Sequence, residues 1–211
     1  MFLMVGERVR EKREPIGELN CAVCSMATAF TSIIEQNYFT LFAIPLLPLD
    51  KTAEYVRCDK CHTVYRVDDQ SEPASLLVGK WVLVYIMLGY GMIEHRDTVR
   101  KIFKKVTGFE YLEADMRSHI REMESDGLTI MERLKQYSGS LDIDGKAQVL
   151  SLAYLMTYVS CEIQYEDRLR LNLMGNALDV SISFVESVIQ HVRAQRYFGV
   201  RRLLKADLTR L

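Results

Sequence analysis

The pattern of apolar and polar positions changes near residue 75. Before it, apolar residues fall in short runs suited to strands. "FLMV" (2–5), "AEYVRC" (53–58) and "TVYRV" (63–67) each predict a short strand. "YFTLFAIPLLPL" (38–49) is aromatic and apolar throughout, but Pro45 and Pro48 forbid a long helix and turn its end into an extended loop. "VDDQSEPAS" (67–75) is polar, contains Pro73 and predicts a linker.

From Leu76 the spacing becomes helical. Val99, Ile102, Phe103 and Val106 mark one buried helix face, as do Leu112, Met116, Ile120 and Met123. Val185, Val188, Ile189 and Val192 mark another, with Ser181 placed to cap it. "VLSLAYLMTYVSC" (149–161) is apolar nearly all round, the mark of a central helix covered on every side. "SGSLDIDGK" (138–146) predicts a loop in which Asp144 could cap the following helix. The expected fold class is α+β: a small β-rich N-terminal module, then an all-α bundle of about six or seven helices. The boundaries are 1–70 for the module, 71–75 for a linker, 76–195 for the bundle and 196–211 for a basic tail.

An internal repeat runs through the helical part. "GMIEHRDTVRKIF" (91–103) resembles "CEIQYEDRLRLNL" (161–173), with Ile93 matching Ile163, Asp97 matching Asp167 and Arg100 matching Arg170. Each copy follows an apolar helix and opens an amphipathic one, so a duplicated helix–turn–helix unit is expected.

Charge narrows the function classes. The 27 Lys and Arg residues nearly cancel 28 Asp and Glu, so no global field points to nucleic acid or an anionic membrane. The N-terminus lacks a basic stretch followed by a long apolar core, and "WVLVYIMLGYGMI" (81–93) falls short of the roughly 20 residues of a bilayer span. A soluble cytoplasmic protein is expected.

Five cysteines are too few for a disulfide scaffold, and four of them form two Cys-x2-Cys pairs: Cys21 with Cys24, and Cys58 with Cys61. Each pair can fold into a tight turn with both sulfurs aimed at one ion, and two such knuckles complete a four-sulfur tetrahedron. Four thiolates select zinc or iron, zinc being the commoner in the cytosol. The shell is then closed, so the Zn²⁺ is structural and supplies folding free energy to a module with few apolar residues. The separation, residues 25–57, exceeds that of compact zinc sites. His62, next to Cys61, reads as a surface group outside the shell, and Cys161, on an apolar helix, as a buried inert thiol.

In order, Cys21, Cys24, "FTLFAIPLLPL" (39–49), Cys58 and Cys61 resemble a bacterial zinc-ribbon module. Residues 76–193 are similar to the TerB-like, tellurite-resistance-associated helical domains. Those contain two related halves, each with an "Asp-Gly-x-Ile-x-x-x-Glu" turn implicated in metal binding. Asp97 and Asp167 match the final acid of the two turns, while Tyr90 and Ser160 replace the leading aspartates. One carboxylate per turn is too few for a hard cation. Asp97 and Asp167 are therefore expected to act as cap or first-turn acids.

The chain contains no phosphate-binding glycine loop, no H-E-x-x-H, and only scattered histidines (His62, His95, His119, His191); His119 and Glu122 merely share a helix face. No catalytic residues are assigned, and a non-enzymatic zinc-binding adaptor with a protein partner, in a bacterial stress system, is the expected function. Two further partners have support in the sequence. Nucleic acid would use the zinc ribbon and the basic tail, where Arg193, Arg196, Arg201, Arg202, Lys205 and Arg210 are set against Asp207 and interleaved with Tyr197 and Phe198, together with "RKIFKK" (100–105). A membrane surface would use residues 38–49.

Overall fold

The computed structural model describes residues 5–41, 44–125 and 127–203. These form two compact units, one of the described residues up to 74 with 138–143, the other of those from 75 to 137 and from 144 onward.

The first unit is an antiparallel sheet in the order β1-β2-β3-β4: β1 (Val5–Cys21), β2 (Met26–Leu41), β3 (Ile44–Cys58) and β4 (Val64–Tyr65). The α+β class and the β-then-α order are as expected, but β1 to β3 span 17, 16 and 15 residues. At roughly 3.3 Å per residue each is about 50 Å long. Of the expected strand "FLMV", residues 2–4 lie outside the described region. Pro45 and Pro48 do not end the strand. They sit within β3 opposite Thr40 and Tyr38, where the register shifts. β3 is an edge here, because β4 pairs only with Val56 and Arg57, and an edge strand with an irregular register is where proline is tolerated.

The core of this unit is confined to one end. Cys21, Phe30, Val56, Cys58 and Tyr65 form one buried cluster, and Ile33, Ala53, Tyr55 and Val64 form a second. Away from them β1 and the first half of β3 are largely exposed, while β2 between them is mostly half-buried.

The second unit contains α1 (Ala74–Gly89), α2 (Arg96–Thr107), α3 (Glu113–Ser125), α4 (Ile130–Ser138), α5 (Ile143–Ser160), α6 (Tyr165–Ala177) and α7 (Ile182–Ala194), seven α-helices among the described residues. α5 is buried on all sides from Val149 to Thr157. The buried stripe of α7 is Val185, Val188 and Val192, and the Phe184 N–H donates to the Ser181 hydroxyl at its N-terminus. Val99, Ile102 and Phe103 fix α2. Two local expectations change. Leu112 precedes α3 and is exposed, its place in the core being taken by Tyr111. Asp144 lies inside the first turn of α5 instead of at its cap. The long apolar helices α1 and α5 are each followed by a turn and then by α2 or α6, so the element order repeats as the sequence does.

Candidate metal centre

The β1–β2 and β3–β4 turns carry the two cysteine pairs. Both turns are built alike. The Ser25 N–H donates to the Cys21 carbonyl at 2.8 Å, and the His62 N–H to the Cys58 carbonyl at 2.9 Å. Ser25 (φ 53°) and His62 (φ 60°) both adopt the left-handed conformation that turns the chain back into the sheet. The strand pairing then sets the knuckles against each other, since Phe30 of β2 lies opposite Cys58.

All four sulfurs lie within 4.8 Å of one another. Cys21 Sγ is 3.5 Å from Cys61 Sγ, and Cys24 Sγ is 4.0 Å from Cys58 Sγ. A tetrahedral ion with sulfur at about 2.3 Å places its sulfurs about 3.8 Å apart, so the spacing fits. The cluster has the donor set, number and spacing of a structural Zn²⁺ site. His62 is exposed and outside it.

Hydroxyls and N–H groups surround the sulfurs. Tyr65 Oη is 3.2 Å from Cys21 Sγ, Thr28 Oγ1 is 3.2 Å from Cys58 Sγ, and the Cys61 thiol is 3.2 Å from Thr63 Oγ1. The Cys24 N–H donates to Cys21 Sγ at 3.4 Å. Sequence reasoning did not single out Thr28, Thr63 or Tyr65. The signal was positional: Thr28 and Tyr65 each lie four residues after the second cysteine of a pair.

The electrostatics call for a cation. Burial pushes the Cys58 thiol up, but the Thr28 hydroxyl and the N–H groups of Cys61 and Lys60 pull it down further, to about 6. Burial also opposes ionisation of Cys21, and the Tyr65 hydroxyl and Cys24 N–H outweigh it. Cys24 is pushed up to about 12, by burial and then by the neighbouring sulfurs. Protein donors alone favour some of the thiolates at the expense of others. A dication lets all four ionise together.

Asp97 and Asp167 have different settings. Asp97 is exposed in the first turn of α2 and lies 3.3 Å from Arg100. Asp167 is 7% exposed. It accepts hydrogen bonds from the Tyr90 hydroxyl and, at 2.9 Å, from the Gln164 N–H at the start of α6. Arg170 lies 3.8 Å from Asp167 and donates to the Tyr90 hydroxyl at 3.0 Å. Arg170 thus supplies the positive charge beside Asp167, and the Tyr90 hydroxyl bridges the two. Burial pushes the Asp167 carboxyl up, but the bonds from Tyr90, Gln164 and Cys161 with the Arg170 charge hold it below the ordinary range. Cys161 is half-buried just beyond α5, 3.5 Å from Asp167 Oδ2, and burial raises its pKa.

Part of the basic surface is engaged internally. Arg193 donates to Tyr154 Oη at 3.0 Å, Arg202 lies over the Tyr158 ring, and Lys105 donates to the Phe198 carbonyl at 3.0 Å. Tyr197 stacks on Tyr158 with ring centroids 3.9 Å apart. Lys205, Asp207 and Arg210 lie outside the described residues.

A β-ribbon closed at one end by two opposed Cys-x2-Cys knuckles is the architecture of a zinc ribbon. Consistent with this, residues 19–100 match a zinc-ribbon family model. No curated protein and no solved structure matches the chain.

Proposed function

We propose that the chain is a non-enzymatic, cytoplasmic zinc-binding adaptor. In this reading the ribbon holds an interaction surface in shape and a TerB-like helical domain accompanies it, within a bacterial stress response. The observation that carries it is the closed four-sulfur shell. Four cysteines fill a tetrahedron, hydroxyls and N–H groups engage the sulfurs, and no coordination position is left for a substrate. A catalytic zinc keeps one position open. The repeated order of long apolar helix, turn and shorter polar helix supports the TerB-like reading of the second unit.

Metal analysis followed by a pull-down from the native cell tests this. The purified chain is expected to carry one zinc. A partner retained by the intact chain should be lost with the double variant Cys21→Ser/Cys58→Ser. A metal-to-protein ratio near zero would sink the metal centre, and an identical partner set without metal would show that the ribbon is not the interaction surface.

A further inference from the structure

The end of the sheet opposite the cysteines carries apolar side chains without a second layer. Ile44, Leu46, Leu47 and Leu49 are 60%, 52%, 62% and 41% exposed. Tyr38 and Phe39 on β2 are paired with Pro48 and Leu47. Burying four such aliphatic side chains is strongly favourable, so leaving them in water marks a binding surface.

The pairing of β1 with β2 arranges charge behind this tip. Because side chains alternate across a sheet, Arg8, Arg10 and Lys12 share one face, opposite Tyr38, Gln36 and Ile34 in turn. All three cations are exposed. The acids of that stretch, Glu7 and Glu11, lie on the other face, where Glu11 bonds Arg13. The same face carries Glu14, 2.7 Å from Lys12, and, from β3, Lys51 opposite Gln36 and Glu54 opposite Ile34, which pair with each other. Arg8 and Arg10 are the cations nearest the tip. Moving back from the tip, the ribbon presents Ile44 and Leu46, then the row of Leu47, Phe39 and Glu7, then Tyr38 level with Arg8, then Arg10 and Lys12.

We infer that this arm inserts its tip into an anionic lipid surface, with Ile44 and Leu46 in the acyl boundary, the Leu47–Phe39–Glu7 row at the interface, and Arg8, Arg10 and Lys12 among the headgroups. This names the partner of the adaptor proposed above and rests on the metal-held ribbon of that reading. The order of side chains is the order of layers met on entering a membrane: hydrocarbon, an aromatic interface, then anionic headgroups. The dimensions agree. Leu47 to Ile44 extend about 10 Å beyond the Arg8–Tyr38 pair, close to the roughly 5–10 Å reached by interfacial segments. A second strand could not extend the sheet readily at β3, because Pro45 and Pro48 lack N–H groups there. The tip offers side chains, which suits a fluid apolar phase.

The test is co-sedimentation of the full zinc-loaded chain with phosphatidylcholine vesicles, with and without phosphatidylserine, at low and high salt. Zinc content and sedimentation equilibrium without vesicles are measured on every sample. Pelleting is expected with phosphatidylserine vesicles and should weaken with salt. Arg8→Ser/Arg10→Ser/Lys12→Ser should lower partitioning by roughly a hundredfold, at about fivefold per lost cation. Leu46→Ser/Leu47→Ser should lower it by at least about tenfold while keeping one zinc per chain. Zinc-loaded monomer left in the supernatant at low salt would overturn the inference and leave the metal centre standing. So would binding indifferent to phosphatidylserine and salt, or a lipid-free dimer abolished by Leu46→Ser/Leu47→Ser, which would make a second copy the occupant. Protein without zinc would instead count against the metal-held ribbon itself.

Discussion

The Tyr65 hydroxyl lies 3.2 Å from the Cys21 sulfur, reaching from the second knuckle to the first cysteine of the opposite one. Thr28 mirrors it, reaching from behind the first knuckle to Cys58, also at 3.2 Å. The two knuckles thus exchange hydroxyls across the four-sulfur cluster, and each hydroxyl is placed to steady a thiolate that a dication would need.

Removing one of these groups should weaken the metal without unfolding the helices. Tyr65→Phe keeps the ring against Phe30, 5.6 Å away between centroids, and deletes the bond to Cys21. Zinc affinity, measured by competition with a chromophoric chelator, is expected to fall by about tenfold or more. An unchanged affinity would mean that the hydroxyl bears only on packing.

His62 tests the backbone of the same knuckle. Its φ of 60° is left-handed and its side chain is exposed. His62→Gly should therefore relieve strain and raise stability by about 0.5–1 kcal/mol. The zinc stoichiometry should stay at one per chain, since the imidazole is outside the shell. Denaturant melts of the zinc-loaded protein check the first expectation and metal analysis the second. Loss of metal would place His62 among the ligands.

These features differ in how far the sequence reveals them. The cysteine pairs are legible because each knuckle is local, and two-residue spacing imposes the turn. The length of β1 is not legible. "VGERVREKREPIGELNC" shows little apolar alternation, because most of the strand belongs to a single layer with no buried face to impose it. The β3 prolines point away from a strand unless its edge position is known. In the helical unit the periodicity of α2 and α7 is clear, whereas Tyr90 and Asp167 are 77 residues apart and only folding brings them together. The acid was visible as a first-turn residue. Its tyrosine and arginine partners were not.

Close helix packing gives a third prediction. A Cβ on Gly175 of α6 would stand 2.3 Å from Val185 Cγ2 of α7. Valine is stiff at χ1 and cannot swing aside. Gly175→Ala should thus destabilise the helical unit by about 1–3 kcal/mol despite the better helix propensity of alanine. Adding Val185→Ala should recover part of the loss, giving a favourable coupling in a double-mutant cycle of urea melts. Strict additivity would mean that the two helices separate at little cost.

The Tyr90–Asp167–Arg170 group makes the last prediction, and it fixes a pH window. Asp167 is buried, hydrogen-bonded by Tyr90 and the Gln164 N–H, and its pKa in the folded chain lies below the ordinary carboxylate value. A group whose pKa falls on folding stabilises the folded state most fully above its unfolded value, near 3.9. The contribution disappears as pH drops through the folded value, because the folded chain must then take up the proton it had resisted. Asp167→Asn keeps the shape but removes the charge that Arg170 faces, so it should cost about 1–3 kcal/mol at neutral pH. That difference from the parent should stay level between pH 5 and 8, shrink below about pH 4, and vanish at more acidic values. Urea melts of both proteins across this range measure it. A difference that persisted unchanged into acid would assign the loss to altered packing of the α5–α6 turn, with no part for the Asp167 charge.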